Sequence, residues 1–210
     1  MSRPWQGNEV LLLGHSQMEG MAPSLRARFL GAGARVVHTF VERGIDVATL
    51  QREVVGGLRI LPRSLADTIP VVVVALSGNG TVNDPLVLQS HLEWLRAEYP
   101  RALIAWLGYT RSRIGTAEDG ARERAAELEA RLVPTHRGVL WIDMRLDGLP
   151  LSADGIHHTQ DGYRQLADHA WARILRGTRE ASVSPWPTVA LFGALGALLG
   201  AAIAYRARRG

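Results

Sequence analysis

Two short segments at opposite ends of the chain carry residue types that can perform nucleophilic catalysis. Asp154 and His157 stand three residues apart, just beyond the apolar run Val139–Met144, which predicts a strand. A carboxylate at this spacing can hold one imidazole nitrogen and direct the other toward a nucleophile. Ser16, which follows the apolar run Val10–Leu13, is the candidate nucleophile. The sequence therefore predicts a catalytic triad of Ser16, His157 and Asp154.

Acyl transfer by a serine also needs hydrogen-bond donors for the negative charge that develops on the attacked carbonyl oxygen. The chain offers such donors after three apolar runs. They are the backbone N–H of Ser16, the backbone near Arg43 and Gly44, and the side-chain amide of Asn79. These groups predict an oxyanion hole beside the triad.

The residues that must position this chemistry form short β-branched runs that alternate with amphipathic segments. This alternation predicts an α/β fold in which helices cover a parallel sheet, and sites in such folds lie at the carboxyl ends of the strands. The continuous run Val71–Val74 is typical of a strand buried on both faces. The predicted strands are Val10–Leu13, Arg35–Thr39, Val71–Leu76, Leu103–Leu107 and Val139–Ile142. The predicted helices are Pro23–Leu30, Pro85–Glu98, Ala117–Leu132 and Asp161–Leu175.

These motifs together resemble the SGNH hydrolase family, also called GDSL-type esterases, whose members use Ser, Gly, Asn and His from four ordered blocks. The resemblance runs from about Val10 to Leu175. The residues that carry it are Gly14-His15-Ser16 with Gly20-Met21, then Gly44, then Ser77-Gly78-Asn79, and finally Asp154–His157 with Thr159–Tyr163.

The resemblance implies a flavodoxin-like three-layer α/β/α domain and ester hydrolysis through an acyl-enzyme. It implies that Ser16 attacks, that His157 transfers the proton and that Asp154 orients His157. It assigns the oxyanion hole to the N–H groups of Ser16 and Gly44 and to Asn79. We expect a serine esterase or deacylase that acts on an acyl ester, acetyl included, of a carbohydrate, cell-envelope or lipid substrate.

Two positions depart from the family pattern, because His15 and Gly80 stand where aspartates are usual. One hypothesis is that His15 contributes a positive charge beside the serine. A different class of function is a catalytically weakened SGNH-like module that acts as a membrane-bound binding or assembly protein. A third keeps the triad but transfers the acyl group to an acceptor other than water.

Composition excludes several other classes of protein. The chain has no cysteine, so disulfides and thiolate chemistry are absent. All 24 basic residues are arginine. Because Arg206, Arg208 and Arg209 supply three of the four net positive charges, the rest of the chain is nearly neutral, and no nucleic-acid binding is predicted. A metal site at His157, His158, Asp154 and Asp161 is the weaker interpretation, and no metal or cofactor is expected. The remaining histidines, His38, His91, His136 and His169, are expected to be structural.

The C-terminal segment has a composition typical of a membrane span. Residues 188–205 carry no charge, Trp186 and Tyr205 stand at the two ends, and arginines follow. Small residues at every fourth position also favour close pairing of two copies, hence a homo-oligomer. We expect a hydrolase domain over 1–181, a Pro/Ser linker over 182–187, a transmembrane helix over 188–205 and a basic tail over 206–210. No signal peptide is predicted, and flanking arginines on both sides leave the orientation open.

Overall fold

The computed structural model of the 210-residue chain describes residues 5–46, 49–50, 60–77, 84–113 and 116–183. The chain divides into two compact units, Met1–Leu175 and Arg176–Gly210. The first unit is an α/β domain. In the second unit the described residues, 176–183, are the end of the last helix.

A five-stranded parallel sheet forms the centre of the first unit. Its strands stand in the order β2-β1-β3-β4-β5, which is the order of the flavodoxin-like folds that the family resemblance implies. The chain order reverses between β1 and β3, which is where ligands bind in such sheets. The strands are β1 (Glu9–Gly14), β2 (Val36–Val41), β3 (Val71–Ala75), β4 (Leu103–Thr110) and β5 (Val139–Met144).

Helices connect the strands in the described part of the chain. They are α1 (Ser16–Gly31), the single turn α2 (Arg63–Ala66), α3 (Pro85–Glu98), α4 (Thr116–Leu132) and α5 (Gln160–Val183), with a 3₁₀ turn at Val133–Thr135 after α4.

Alternation of side chains along the strands divides the core into two layers. Val10 and Leu12 of β1 pack with α1 and α5, whereas Leu11 and Leu13 pack with α3 and α4. All five residues of β3 are buried, because helices cover both faces of the sheet. The predicted three-layer α/β/α fold is therefore confirmed. The helix residues in these layers include Met18, Met21, Leu25, Phe29, Leu166, Ala170 and Ile174 on one side, and Leu88, Leu92, Leu95 and Leu128 on the other.

Several elements begin or end elsewhere than the sequence predicts, and two of these differences lie next to the carboxyl edge of the sheet. Helix α1 begins at Ser16 rather than Pro23, because buried Met18 and Met21 hold its first turns against the sheet despite the proline within the helix. Strand β4 continues past Leu107 to Thr110, with an irregular register against β5 over these last residues.

The predicted C-terminal segments lie almost wholly outside the described residues. Helix α5 continues to Val183, so Ser182 and Val183 are helical rather than part of a linker. Within the described ranges, the helices are too short or too polar to span a bilayer. The predicted membrane segment, 188–205, and the tail, 206–210, are not among those residues.

Candidate active site

Ser16, His157 and Asp154 lie within hydrogen-bond distance of one another at the carboxyl edge of the sheet. The His157 Nε2 atom is 2.9 Å from Ser16 Oγ, and His157 Nδ1 is 2.6 Å from Asp154 Oδ2. Ser16 is the first residue of α1, directly after β1, whereas Asp154 and His157 lie in the loop between β5 and α5. The structure therefore brings together the three residues that the sequence singles out.

Asp154 fixes the tautomer of His157. An ionised carboxylate only accepts hydrogen bonds, so Nδ1 of His157 carries the proton and Nε2 is free to accept from the Ser16 hydroxyl. The Oδ1 atom of Asp154 accepts from the Ser152 hydroxyl and from the backbone N–H groups of Ile156 and His157. The hydrogen bond from the His157 ring and these further donors hold the Asp154 pKa far below its usual range. The carboxylate is therefore ionised at neutral pH.

The loop that carries the histidine is closed by its own hydrogen bonds. The Ser152 N–H donates to the carbonyl oxygen of His157 over 2.7 Å, and Leu151 and His158 form an antiparallel bridge. Gln17, next to the serine, donates its side-chain amide to the carbonyl oxygen of Ile156 over 3.3 Å. Gln17 thus links the serine turn to the histidine loop.

His15 is neutral, so the hypothesis of a positive charge beside the serine is wrong. Its ring is 1 % exposed, its Nε2–H donates to the Ser77 carbonyl oxygen over 2.8 Å, and its Nδ1 accepts from the Gln17 N–H over 3.2 Å. Burial is the main cause that lowers the pKa of His15, to about 4. His15 instead caps α1 and joins the turn after β1 to the end of β3.

Behind His15 lies a buried carboxyl group that is not among the predicted site residues. Ser77 donates its hydroxyl to Glu129 of α4 over 2.6 Å, and the Trp106 indole N–H donates to the Ser77 hydroxyl over 3.1 Å. Glu129 is fully buried, and burial raises its pKa to about 8, although the Ser77 and indole interactions oppose this. Glu129 is therefore a neutral carboxylic acid at pH 7.

Sequence did contain a signal for Glu129. Residues three and four apart share a helix face, so Glu129 lies on the same face as the apolar residues Ala125 and Leu132. A lone carboxyl group on such a face must be paired or neutral. By contrast, nothing in the sequence distinguishes Gln17 from an ordinary helix residue.

The triad opens into a cleft of about 570 Å³, within the range of small-molecule sites. Gly44, in the turn after β2, lines this cleft and adopts a φ of +79°. The Ser16 N–H belongs to the first turn of α1, whose N–H groups have no partner within the helix. Asn79 and Gly80 lie outside the described residues. The cleft is lined by Ser16, Glu19, Gly20, Arg43, Gly44, Arg122, Ile156, His157 and Tyr163.

The close approach of helices α1 and α5 requires a glycine at position 20. A Cβ atom at Gly20 of α1 would overlap the ring of Tyr163 of α5. The two helices therefore meet directly beneath the cleft, and an ion pair between Arg28 and Asp168 joins them further along.

The other histidines have structural surroundings. His38 pairs with Glu9, and His136 and His169 contact the carbonyl oxygens of Leu132 and Asp143. His91 is fully buried against Trp94 and Trp106. His158 packs on the Tyr163 ring, and the described residues contain no cluster of three side chains arranged to hold a metal ion.

Solved structures with the same fold extend over nearly the whole α/β domain. TesA superposes with a TM-score of 0.60 at 18% identity, covering 80% of this chain and 98% of that one. A GDSL-like lipase from Bacteroides thetaiotaomicron gives a TM-score of 0.56 at 15% identity, over 83% and 89%. The C-terminal catalytic domain of Streptococcus pneumoniae peptidoglycan O-acetyltransferase A gives 0.57 at 15%, over 83% and 96%.

No protein-family model and no curated protein matches the sequence. The strand order, and the positions of Ser16 after β1 and of His157 after β5, agree with this structural likeness. The chain therefore has the fold of the SGNH hydrolases, the family of GDSL-type lipases and esterases.

Proposed function

We propose that the protein is a serine ester hydrolase that works through an acyl-enzyme on Ser16. The observation that carries this proposal is the continuous hydrogen-bonded chain from Ser16 through His157 to Asp154. Such an arrangement raises the nucleophilicity of a serine hydroxyl because the base and its orienting group are already in place.

The reaction follows from the atoms of the triad. Ser16 Oγ attacks the ester carbonyl carbon while His157 Nε2 takes the hydroxyl proton, and Asp154 stabilises the imidazolium that forms. The C–O bond to the alcohol then breaks, and His157 returns the proton to the leaving oxygen. A water molecule, deprotonated by His157, attacks the acyl-enzyme and releases the carboxylic acid and free Ser16.

The oxyanion formed in both steps needs preorganised donors. We assign this role to the N–H groups of Ser16 and Gly44 and to the Asn79 amide. The position of Ser16 at the start of α1 supports its assignment, because the positive end of the helix dipole lies at this residue. The location of Gly44 in the cleft supports its own.

The acyl group that we propose is a small one, such as acetyl, on a carbohydrate or cell-envelope polymer. Support comes from the likeness to a domain named as a peptidoglycan O-acetyltransferase. The same likeness favours a second candidate, in which a sugar hydroxyl replaces water as the acceptor. Product analysis with and without a glycan acceptor separates hydrolysis from transfer.

Replacement of Ser16 by alanine tests the proposal. The variant should lose about 10⁴-fold or more in kcat on para-nitrophenyl acetate, with the fold retained. Ser64→Ala, at an exposed position on α2, is the control and should keep wild-type turnover.

An uncharged fluorophosphonate separates an enzyme from a weakened binding module. An activated Ser16 should be labelled in the wild type and not in Ser16→Ala. Equal turnover and equal labelling of the two proteins would refute the serine mechanism, and absence of labelling from both would favour the binding or assembly function.

A further inference from the structure

Arg122 of α4 faces the same cleft as Ser16 and His157. It is half-buried and lines the cleft together with the two triad residues. It also lines an adjoining cavity of about 230 Å³ beside Thr110 and Ser112 at the end of β4. Arg122 therefore stands between the triad cleft and this second cavity.

The charge of Arg122 is not compensated by an ion pair with any residue that the structure describes. The two carboxylates nearest to it along α4 are engaged elsewhere: Asp119 accepts from the Ser112 hydroxyl over 2.7 Å, and Glu123 pairs with Arg145 over 2.9 Å. An arginine in a partly desolvated position without a counter-ion is a natural site for an anion.

The other charged groups of the cleft are already paired. Arg43 and Glu19 form a two-bond ion pair of 2.6 and 2.9 Å, and Asp154 is held by His157. Of the arginines and carboxylates that line the cleft, Arg122 is consequently the one without an ion-pair partner among the residues that the structure describes. Burial is the main cause that lowers the pKa of His15, the residue before Ser16, and the positive charge of Arg122 lowers it further.

We propose that Arg122 binds an anionic group of the substrate, a carboxylate or a phosphate, and so selects acidic esters over neutral ones. The inference rests on the proposed ester hydrolysis. The planar guanidinium donates two parallel hydrogen bonds to such a group, while Ile156 and Tyr163 provide the apolar wall of the cleft. The bound anion holds the ester carbonyl beside Ser16.

Matched ester pairs test this selection and show on which side of the ester the anion lies. Para-acetoxybenzoate and para-acetoxybenzamide differ in charge on the alcohol side, and para-nitrophenyl hemisuccinate and butyrate differ on the acyl side. For at least one pair, wild-type kcat/KM should favour the acidic ester. Arg122→Gln should reduce that ratio about tenfold, Arg122→Glu should reduce it further, and added NaCl should weaken the wild-type preference.

The control is Arg101→Glu, an equal charge change at an exposed site before β4, at the opposite edge of the sheet. It should leave both ratios at their wild-type values. The proposal is overturned if the wild type shows no preference in either pair, or if both Arg122 variants keep the wild-type ratios.

A binding measurement separates this proposal from the proposed activity. The Ser16→Ala variant should bind para-acetoxybenzoate or para-nitrophenyl hemisuccinate in an NMR titration. The double variant Ser16→Ala/Arg122→Gln should bind the same ester about tenfold more weakly. Equal binding by the two proteins overturns the role of Arg122 even if no ester is hydrolysed. Labelling by the uncharged fluorophosphonate reports on the reactivity of Ser16 independently of the Arg122 charge.

Discussion

The carboxylate of Asp154 is held by more hydrogen bonds than the orientation of one imidazole requires. Its Oδ1 atom accepts three and its Oδ2 atom faces His157. Since backbone donors supply two of these bonds, the side chain has a fixed position even when the cleft is empty.

Asp154→Asn should lower kcat on para-nitrophenyl acetate by about 10³- to 10⁴-fold while the fold is kept. Asparagine can present an N–H to Nδ1 of His157, which places the ring proton on Nε2 and removes the acceptor for the Ser16 hydroxyl. The measurement is steady-state kinetics with Asp147→Asn as control, an exposed carboxylate paired with Arg111. Turnover within a factor of ten of wild type would contradict the assigned role.

Glu129 should make the protein less stable as the pH rises above neutrality. Its folded pKa of about 8 exceeds the usual 4.5, so the unfolded chain releases this proton more readily. The contribution of Glu129 to the free energy of unfolding is fully present below pH 4.5 and is lost as the pH rises from 4.5 through 8. Between pH 6.5 and 9 the loss should be about 2 kcal/mol, since one pKa unit corresponds to about 1.36 kcal/mol.

Urea unfolding of the wild type and of Glu129→Gln over this pH range measures the effect. The neutral amide cannot titrate, so the variant should lack that part of the pH dependence. His15, whose pKa is lowered to about 4, changes stability only below this range. Parallel curves for the two proteins would show that Glu129 does not titrate as a buried acid between pH 6.5 and 9.

At the scale of elements, the close approach of α1 and α5 at Gly20 lies four residues after Ser16 in the same helix. Gly20→Ala should destabilise the protein by about 1–3 kcal/mol, because the new methyl group overlaps the Tyr163 ring. Alanine favours the helix over glycine by about 1 kcal/mol, so a loss of stability can be attributed to the clash with Tyr163.

Gly31→Ala, at the end of the same helix, has no atom within 4 Å of the new Cβ and serves as the control. Thermal unfolding should show a lower midpoint only for Gly20→Ala. Its kcat should fall as well, since a shifted α1 moves Ser16 away from His157. An unchanged midpoint would mean that the Tyr163 ring moves aside without destabilising the protein.

The sequence predicts the sheet well because apolar runs such as Val71–Val74 reflect burial on both faces, a property local to each strand. It predicts the neighbourhood of Ser16 and His157 because parallel strands end at one edge. It does not predict the hydrogen bond from His15 to the Ser77 carbonyl oxygen or the one from the Ser77 hydroxyl to Glu129, since these join residues 62 and 52 positions apart. The early start of α1 likewise depends on tertiary burial rather than on local preference.

At the scale of the whole molecule, we propose that residues 188–205 anchor the catalytic domain in a membrane. The full chain should float with phosphatidylcholine–phosphatidylglycerol vesicles in a density gradient, whereas a version that ends at Ser184 should not. Leu195→Arg places a charge at the middle of the segment and should weaken insertion by about 2.5–3.5 kcal/mol. Flotation of all three proteins alike, or of none, would contradict the anchor.

The hydroxyl of Ser16 and the ring of His157 stand 141 residues apart in the chain. Under the proposed mechanism, a ribosome exposes the nucleophile early, whereas the histidine that would deprotonate it emerges only after all five strands. A polypeptide that ends before His157 would lack a base for Ser16 and should not hydrolyse esters. The proposed activity would therefore begin only late in synthesis, when the helix that packs against Gly20 is made.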